Sequence, residues 1–67
     1  MYELYLQNGD INEKVFGGSL DDIWDYINRW LNRNNYHAYY FRQWTKNGKT
    51  YIDFGSWSIL FWYREVE

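Results

Sequence analysis

Ser19-Leu20-Asp21-Asp22-Ile23-Trp24-Asp25-Tyr26-Ile27-Asn28-Arg29-Trp30-Leu31-Asn32-Arg33 carries the strongest structural signal in the chain. Its apolar residues Leu20, Ile23, Trp24, Ile27, Trp30 and Leu31 recur at helical spacing, which lines them along one side of an α-helix. Ser19 is a good N-cap, because its hydroxyl can accept one of the orphan backbone N–H groups of the first turn. Asp22, three residues on, completes a capping-box-like pattern. Asp21, Asp22 and Asp25 sit early and Arg29 and Arg33 late, which suits the helix dipole. Asp25 and Arg29 also form an i,i+4 pair. Asn34-Asn35 can end the helix in a left-handed conformation.

After the helix the period changes from 3.6 to 2. Asn47-Gly48 is a strong signal for a two-residue type I′ hairpin, since both residues accept positive φ. It predicts that Lys46 faces Lys49, Trp44 faces Tyr51, Arg42 faces Asp53 and Phe41 faces Phe54. The opposite charges of Arg42 and Asp53 favour the same register. Gly55-Ser56 fits a second two-residue turn, which predicts the pairs Phe54 with Trp57, Ile52 with Ile59 and Tyr51 with Leu60. Before the helix, Tyr2-Glu3-Leu4-Tyr5-Leu6-Gln7 alternates, with Tyr2, Leu4 and Leu6 on one face, as in a half-buried strand. Asn8-Gly9-Asp10 is a turn signal, a weaker strand follows around Lys14-Val15-Phe16, and Gly17-Gly18 is expected to break the chain. The whole is a single domain over residues 1–67, an α+β fold of order β-β-α-β-β-β, with one amphipathic helix packed on an antiparallel sheet. The strand order in the sheet is not readable.

The two predicted turns sort the meander into faces. Tyr39, Phe41, Ile52, Phe54, Trp57, Ile59 and Phe61 form the face assigned to the helix. Tyr40, Arg42, Trp44, Tyr51, Asp53, Leu60 and Trp62 form the other, which holds the salt pair and is therefore assigned to solvent. A one-residue slip would exchange the two sets.

At 67 residues, a domain buries only about 60% of the surface exposed by its unfolded chain. Disulfides or a metal are the usual reinforcement, but the chain has no Cys and its one His is His37. Aromatic packing must take their place, and 25% of the residues are Phe, Trp or Tyr. That is more aromatic surface than one helix and a small sheet can hide, and exposed aromatic surface usually has a use. A net charge of −2 gives no basic patch of the kind a duplex binder carries. Met1-Tyr2-Glu3 lacks a basic n-region and no apolar stretch follows it, so no signal peptide is expected. The longest apolar run, Ile59 to Tyr63, is too short to span a membrane. On these features the expected location is the cytoplasm.

Catalytic chemistry is poorly provided for. Ser19 and Ser56 are explained as cap and turn residues, and nothing around His37 suggests a triad. Asp21, Asp22 and Asp25 read as helix-dipole residues rather than metal ligands. Asp53 is paired with Arg42, and Gly17-Gly18 lacks the further glycines and Lys of a phosphate loop. No enzyme activity, catalytic residue, metal or cofactor is expected. The positive signal is the solvent face, whose Tyr40, Trp44, Tyr51 and Trp62, with Arg42 among them, are the residue types that dominate binding hot spots. The same aromatics read equally well as a sheet that packs on itself through cross-strand pairs; where they bind, a protein partner is the first expectation. Single-stranded nucleic acid stacked on the sheet aromatics, with Arg42, Lys46, Lys49 and Arg64 nearby, is the second. A homo-oligomer, such as a dimer, that uses this face or an edge is the third.

The opening Met1-Tyr2-Glu3-Leu4-Tyr5-Leu6, the short helix and the aromatic hairpin segment Lys49-Thr50-Tyr51-Ile52-Asp53-Phe54-Gly55-Ser56 together resemble short reading frames of phages and prophages of Gram-positive bacteria. The likeness covers most of the chain in pattern. Such proteins, where their roles are known, often bind and inhibit a host protein, including defence nucleases. The resemblance implies a non-enzymatic binder acting on a host protein in the host cytoplasm, and it carries over no site residues.

Overall fold

The helix forms where the apolar period places it. In the computed structural model, which describes residues 1–66, α1 spans Leu20–Arg33. Ser19 Oγ accepts the Asp22 N–H at 3.2 Å, as its cap position requires. At the other end Asn35, not Asn34, takes the left-handed conformation, with φ 57°. Tyr36 N–H donates to Leu31 O at 2.9 Å and Asn35 N–H to Asn32 O at 3.3 Å. Those two bonds make a Schellman motif, which satisfies carbonyls the helix end leaves open.

The strands are β1 Tyr2–Asn8, β2 Ile11–Gly18, β3 Arg42–Lys46, β4 Lys49–Asp53 and β5 Ile59–Glu65. They form one antiparallel sheet in the order β2-β1-β5-β4-β3. The element order is thus the expected β-β-α-β-β-β. The first and last strands meet in the middle of the sheet, where β1 pairs with β5 along its whole length. Gly9, with φ 61°, supplies the positive φ of the first hairpin. Gly17 and Gly18 do not break the chain but end β2, which a bulge at Val15 bends between the pairs Leu4↔Phe16 and Tyr5↔Lys14.

Leu4, Ile23, Ile27, Leu31, Ile52, Phe54 and Phe61 form the core. Of the predicted helix stripe, Ile23, Ile27 and Leu31 are buried, while Leu20, Trp24 and Trp30 are half-buried on its flanks. Trp30 presses edge-on against Phe61, with ring centroids 5.3 Å apart. Burying such an aromatic layer is how so short a chain finds its apolar area.

The Asn47-Gly48 hairpin is as predicted, with φ 53° and 77° and the pairs Arg42↔Asp53, Trp44↔Tyr51 and Lys46↔Lys49. Phe41 lies before β3 and does not pair with Phe54. The Gly55-Ser56 two-residue turn does not form. Asp53 Oδ1 accepts the Gly55 N–H at 2.9 Å, and Ser56 Oγ accepts the Ile59 N–H at 3.3 Å. These local side-chain bonds draw the backbone off the ladder into a loop over residues 54–58. β4 therefore pairs with β5 two residues further along, as Tyr51↔Trp62 and Ile52↔Phe61. A slip of two keeps every strand residue on its predicted face.

The loop residues escape that rule. Phe54 turns into the core, but Trp57, assigned to the helix side, is fully exposed at 103% of its reference area. Tyr39 and Phe41, assigned there too, are exposed because the chain before Arg42 is not strand. Phe41 still reaches the helix flank, edge-on to Trp24 at 5.4 Å.

Candidate functional site

The sheet face away from the helix is built by alternation. Successive residues of a strand point to opposite faces, so burial of Leu4, Ile52 and Phe61 under the helix sends their neighbours Tyr5, Tyr51 and Trp62 outward. The registers Tyr5↔Trp62, Tyr51↔Trp62 and Trp44↔Tyr51 align these residues in one row across β1, β5, β4 and β3. Tyr5 and Trp62 stack with centroids 4.1 Å apart and planes 3° apart. Tyr51 and Trp62 are 6.3 Å apart at 43°, and Trp44 and Tyr51 5.6 Å apart at 16°. Cross-strand aromatic pairs of this kind stabilise a sheet, so part of the row acts as a second, thin packing layer.

Trp62 is the inside of that layer. It is only 6% exposed, with Tyr5 stacked on it, Lys49 Nζ 4.7 Å from its ring centre, and its indole N–H donating to Asn12 Oδ1 at 2.8 Å. Its assignment to solvent as a binding residue is corrected: it lies on the predicted face, but neighbours from β1, β2 and β4 cover it. The other residues of the predicted face divide. Tyr51, Asp53 and Leu60 are half-buried, whereas Tyr40, Arg42 and Trp44 are exposed.

Charge is segregated between the two sides. Lys14, Arg42, Lys46, Lys49 and Arg64 lie on the outer face, against the carboxylates Glu3 and Asp53. Asp21, Asp22, Asp25, Glu13 and Glu65 lie on the helix or on the helix side of the sheet, with the cations Arg29 and Arg33 also on the helix, so the segregation is partial. Part of the outer charge is internally engaged. Glu3 accepts from Arg64 and pairs with Lys14, each at 3.0 Å, and Arg42 donates to Asp53 at 3.0 Å. Hydrogen bonds from Lys14 and then Arg64 hold the Glu3 carboxyl below its ordinary pKa, and the bond to Glu3 raises that of Arg64. Among the described residues, neither Lys46 nor Lys49 has a carboxylate partner.

A second concentration of aromatics lies at one end of the domain, where residues 34–41 meet the loop over 54–58. Tyr39 is 77% and Tyr40 52% exposed, and both pack beside Gly55. Trp57 stands on the ridge between two shallow depressions. Arg42, Trp44, Asp53 and Leu60 line one, and Tyr36, His37, Tyr39 and Gly55 the other. Sequence reasoning missed this cluster because it carried strand alternation through segments that are loops. Asp53 two residues before Gly55 was the available signal, since Asp readily bonds the backbone two residues on.

The polar groups considered for catalysis have local roles. Ser19 and Ser56 hold backbone N–H groups, and His37 sits edge-on to Tyr39 at 5.1 Å. Among the described residues no three His or carboxylate side chains converge as metal ligands do. Among the same residues, no helix is long and apolar enough to cross a membrane. Comparison with protein-family models, with curated proteins and with solved structures finds no match.

Proposed function

We propose that this protein is a non-enzymatic protein-binding module that acts in the cytoplasm by covering a surface of its partner. The observation that carries the reading is the cluster of exposed aromatics at one end of the sheet: Trp57, Tyr39, Tyr40, Phe41 and Trp44. A small monomer rarely leaves this much aromatic surface bare unless it is used, and Trp and Tyr lead the residues whose truncation costs binding energy. The resemblance to short phage and prophage reading frames points the same way, toward an accessory or inhibitor of a host protein. The binding surface is centred on Trp57 and takes in Tyr40, Arg42 and Trp44 from the face predicted by sequence.

Single-stranded nucleic acid is the competing reading, and the cations of the outer face favour it. The ring geometry does not. Base binding needs aromatic faces open to solvent, whereas Tyr5 is stacked on Trp62 and Tyr51 on Trp44. The Arg42 guanidinium is 5.4 Å from the Trp44 ring centre.

Capture from a host lysate with immobilised wild type and Trp57→Ala tests the proposal. A stoichiometric protein retained by the wild type and lost by the variant supports it. Salt-sensitive retention of oligonucleotide with no such protein, or a self-associated species by light scattering, refutes it.

A further inference from the structure

We propose that β3 is an acceptor edge that takes an extended, acidic strand of a partner protein into the sheet. The proposal rests on the protein-binding reading and names the chemistry of the partner.

β3 pairs only with β4, so one row of its backbone N–H and C=O groups meets no other described strand. Every residue of β3 is exposed. The helix packs over β1 and β2 and reaches the core residues Phe61 of β5 and Ile52 of β4, but it stops short of β3, whose residues are exposed on both faces. The opposite edge differs, because β2 is bulged at Val15 and lies beside the helix. Open, regular edges are what added strands use: main-chain hydrogen bonds give affinity and alternate side chains give selectivity.

Charge selects the occupant. The outer face of β3 presents Trp44 between Arg42, which is bonded to Asp53, and Lys46, which has no carboxylate partner among the described residues. Lys46 directly faces Lys49, and like charges directly opposite are unfavourable within the fold itself. Carboxylates on an incoming strand relieve that repulsion. An antiparallel second copy centred on Trp44 would instead set Arg42 against Lys46 of the other copy. The cations that bar self-pairing, a common protection of edges, thus admit a strand of opposite charge.

The test uses the full chain and a peptide that alternates Glu with Val around a central Tyr. Its Lys-for-Glu counterpart and an oligothymidine serve as controls. Amide chemical shifts map the site and fluorescence anisotropy gives affinity. The acidic peptide should saturate, shift the amides of residues 42–46, and bind at least about tenfold tighter than the basic one. Lys46→Glu should melt higher than wild type, since a carboxylate then faces Lys49, yet lose most of the preference for the acidic peptide. A stabilised variant with a lost preference cannot be explained by misfolding. Lack of saturable binding, equal affinities, shifts away from β3, tighter oligothymidine binding, or dimerisation through β3 would each overturn the proposal. Glu13→Gln, on the opposite edge strand β2, should leave peptide affinity unchanged. If the cellular partner depends on Trp57 and the peptide does not bind, the edge proposal fails while the protein-binding reading stands.

Discussion

Trp57 and Trp62 are five residues apart and should respond oppositely to the same substitution. Trp62 is 6% exposed, stacked on Tyr5 and hydrogen-bonded to Asn12. Trp62→Ala loses that packing and the indole's hydrogen bond to Asn12, a cost of about 3–5 kcal/mol by analogy with other buried aromatic truncations. A domain of this length has a total stability on the order of 3–10 kcal/mol, so the variant should lose about a third or more of it and, at the low end of that range, unfold at room temperature. Trp57 contributes no buried area, at 103% exposure. Trp57→Ala should therefore stay within about 0.5 kcal/mol of the wild type, as surface substitutions do. Its effect belongs to binding, where loss of a hot-spot Trp costs at least about 2 kcal/mol, roughly thirtyfold in Kd. Urea melts of both variants check the stability half without any partner, and titration of the captured partner with Trp57→Ala checks the other. A Trp57→Ala variant that melts more than about 1 kcal/mol below the wild type, or that binds the partner with unchanged affinity, would refute an exposed, binding Trp57. A Trp62→Ala variant as stable as the parent would equally refute a covered Trp62.

Ile27 is fully buried at the centre of the helix stripe, so Ile27→Ala should cost about 2–5 kcal/mol in a thermal or chemical melt. Gly48 has φ 77°, and a Cβ there would meet nothing within 4 Å; Gly48→Val should still destabilise by roughly 1–2 kcal/mol, because the penalty is in the backbone rather than in space, and a melt coincident with the wild type would exclude it. The Glu3 carboxyl is held below its ordinary pKa by Lys14 and Arg64. Its contribution to stability is therefore present above the unfolded Glu value of about 4.3, and is lost as the pH falls through the lower folded value. Melting wild type and Glu3→Gln side by side should show a gap at neutral pH that closes in acid.

Residues adjacent in sequence explain what could be read without a structure. The helix follows from Leu20 to Leu31 at helical spacing and from Ser19 as its cap, and the β3–β4 register follows from Asn47-Gly48. In each case the deciding energies act within a few residues, so the sequence determined these elements by itself. Alternation likewise assigned Tyr51 and Trp62 to the face opposite Ile52 and Phe61. It could not report that Trp62 is covered, because Tyr5, Asn12 and Lys49 reach it from other strands. The order β2-β1-β5-β4-β3 rests on pairing of the first strand with the last, a contact no local signal encodes. The open edge of β3 follows from that order alone. Trp57 was misplaced because local hydrogen bonds, from the Gly55 N–H to Asp53 and from the Ile59 N–H to Ser56, outweighed the two-residue turn and ended the strand's alternation. Tertiary structure decided burial, edges and loop exposure, since each depends on which distant residues occupy the neighbouring space.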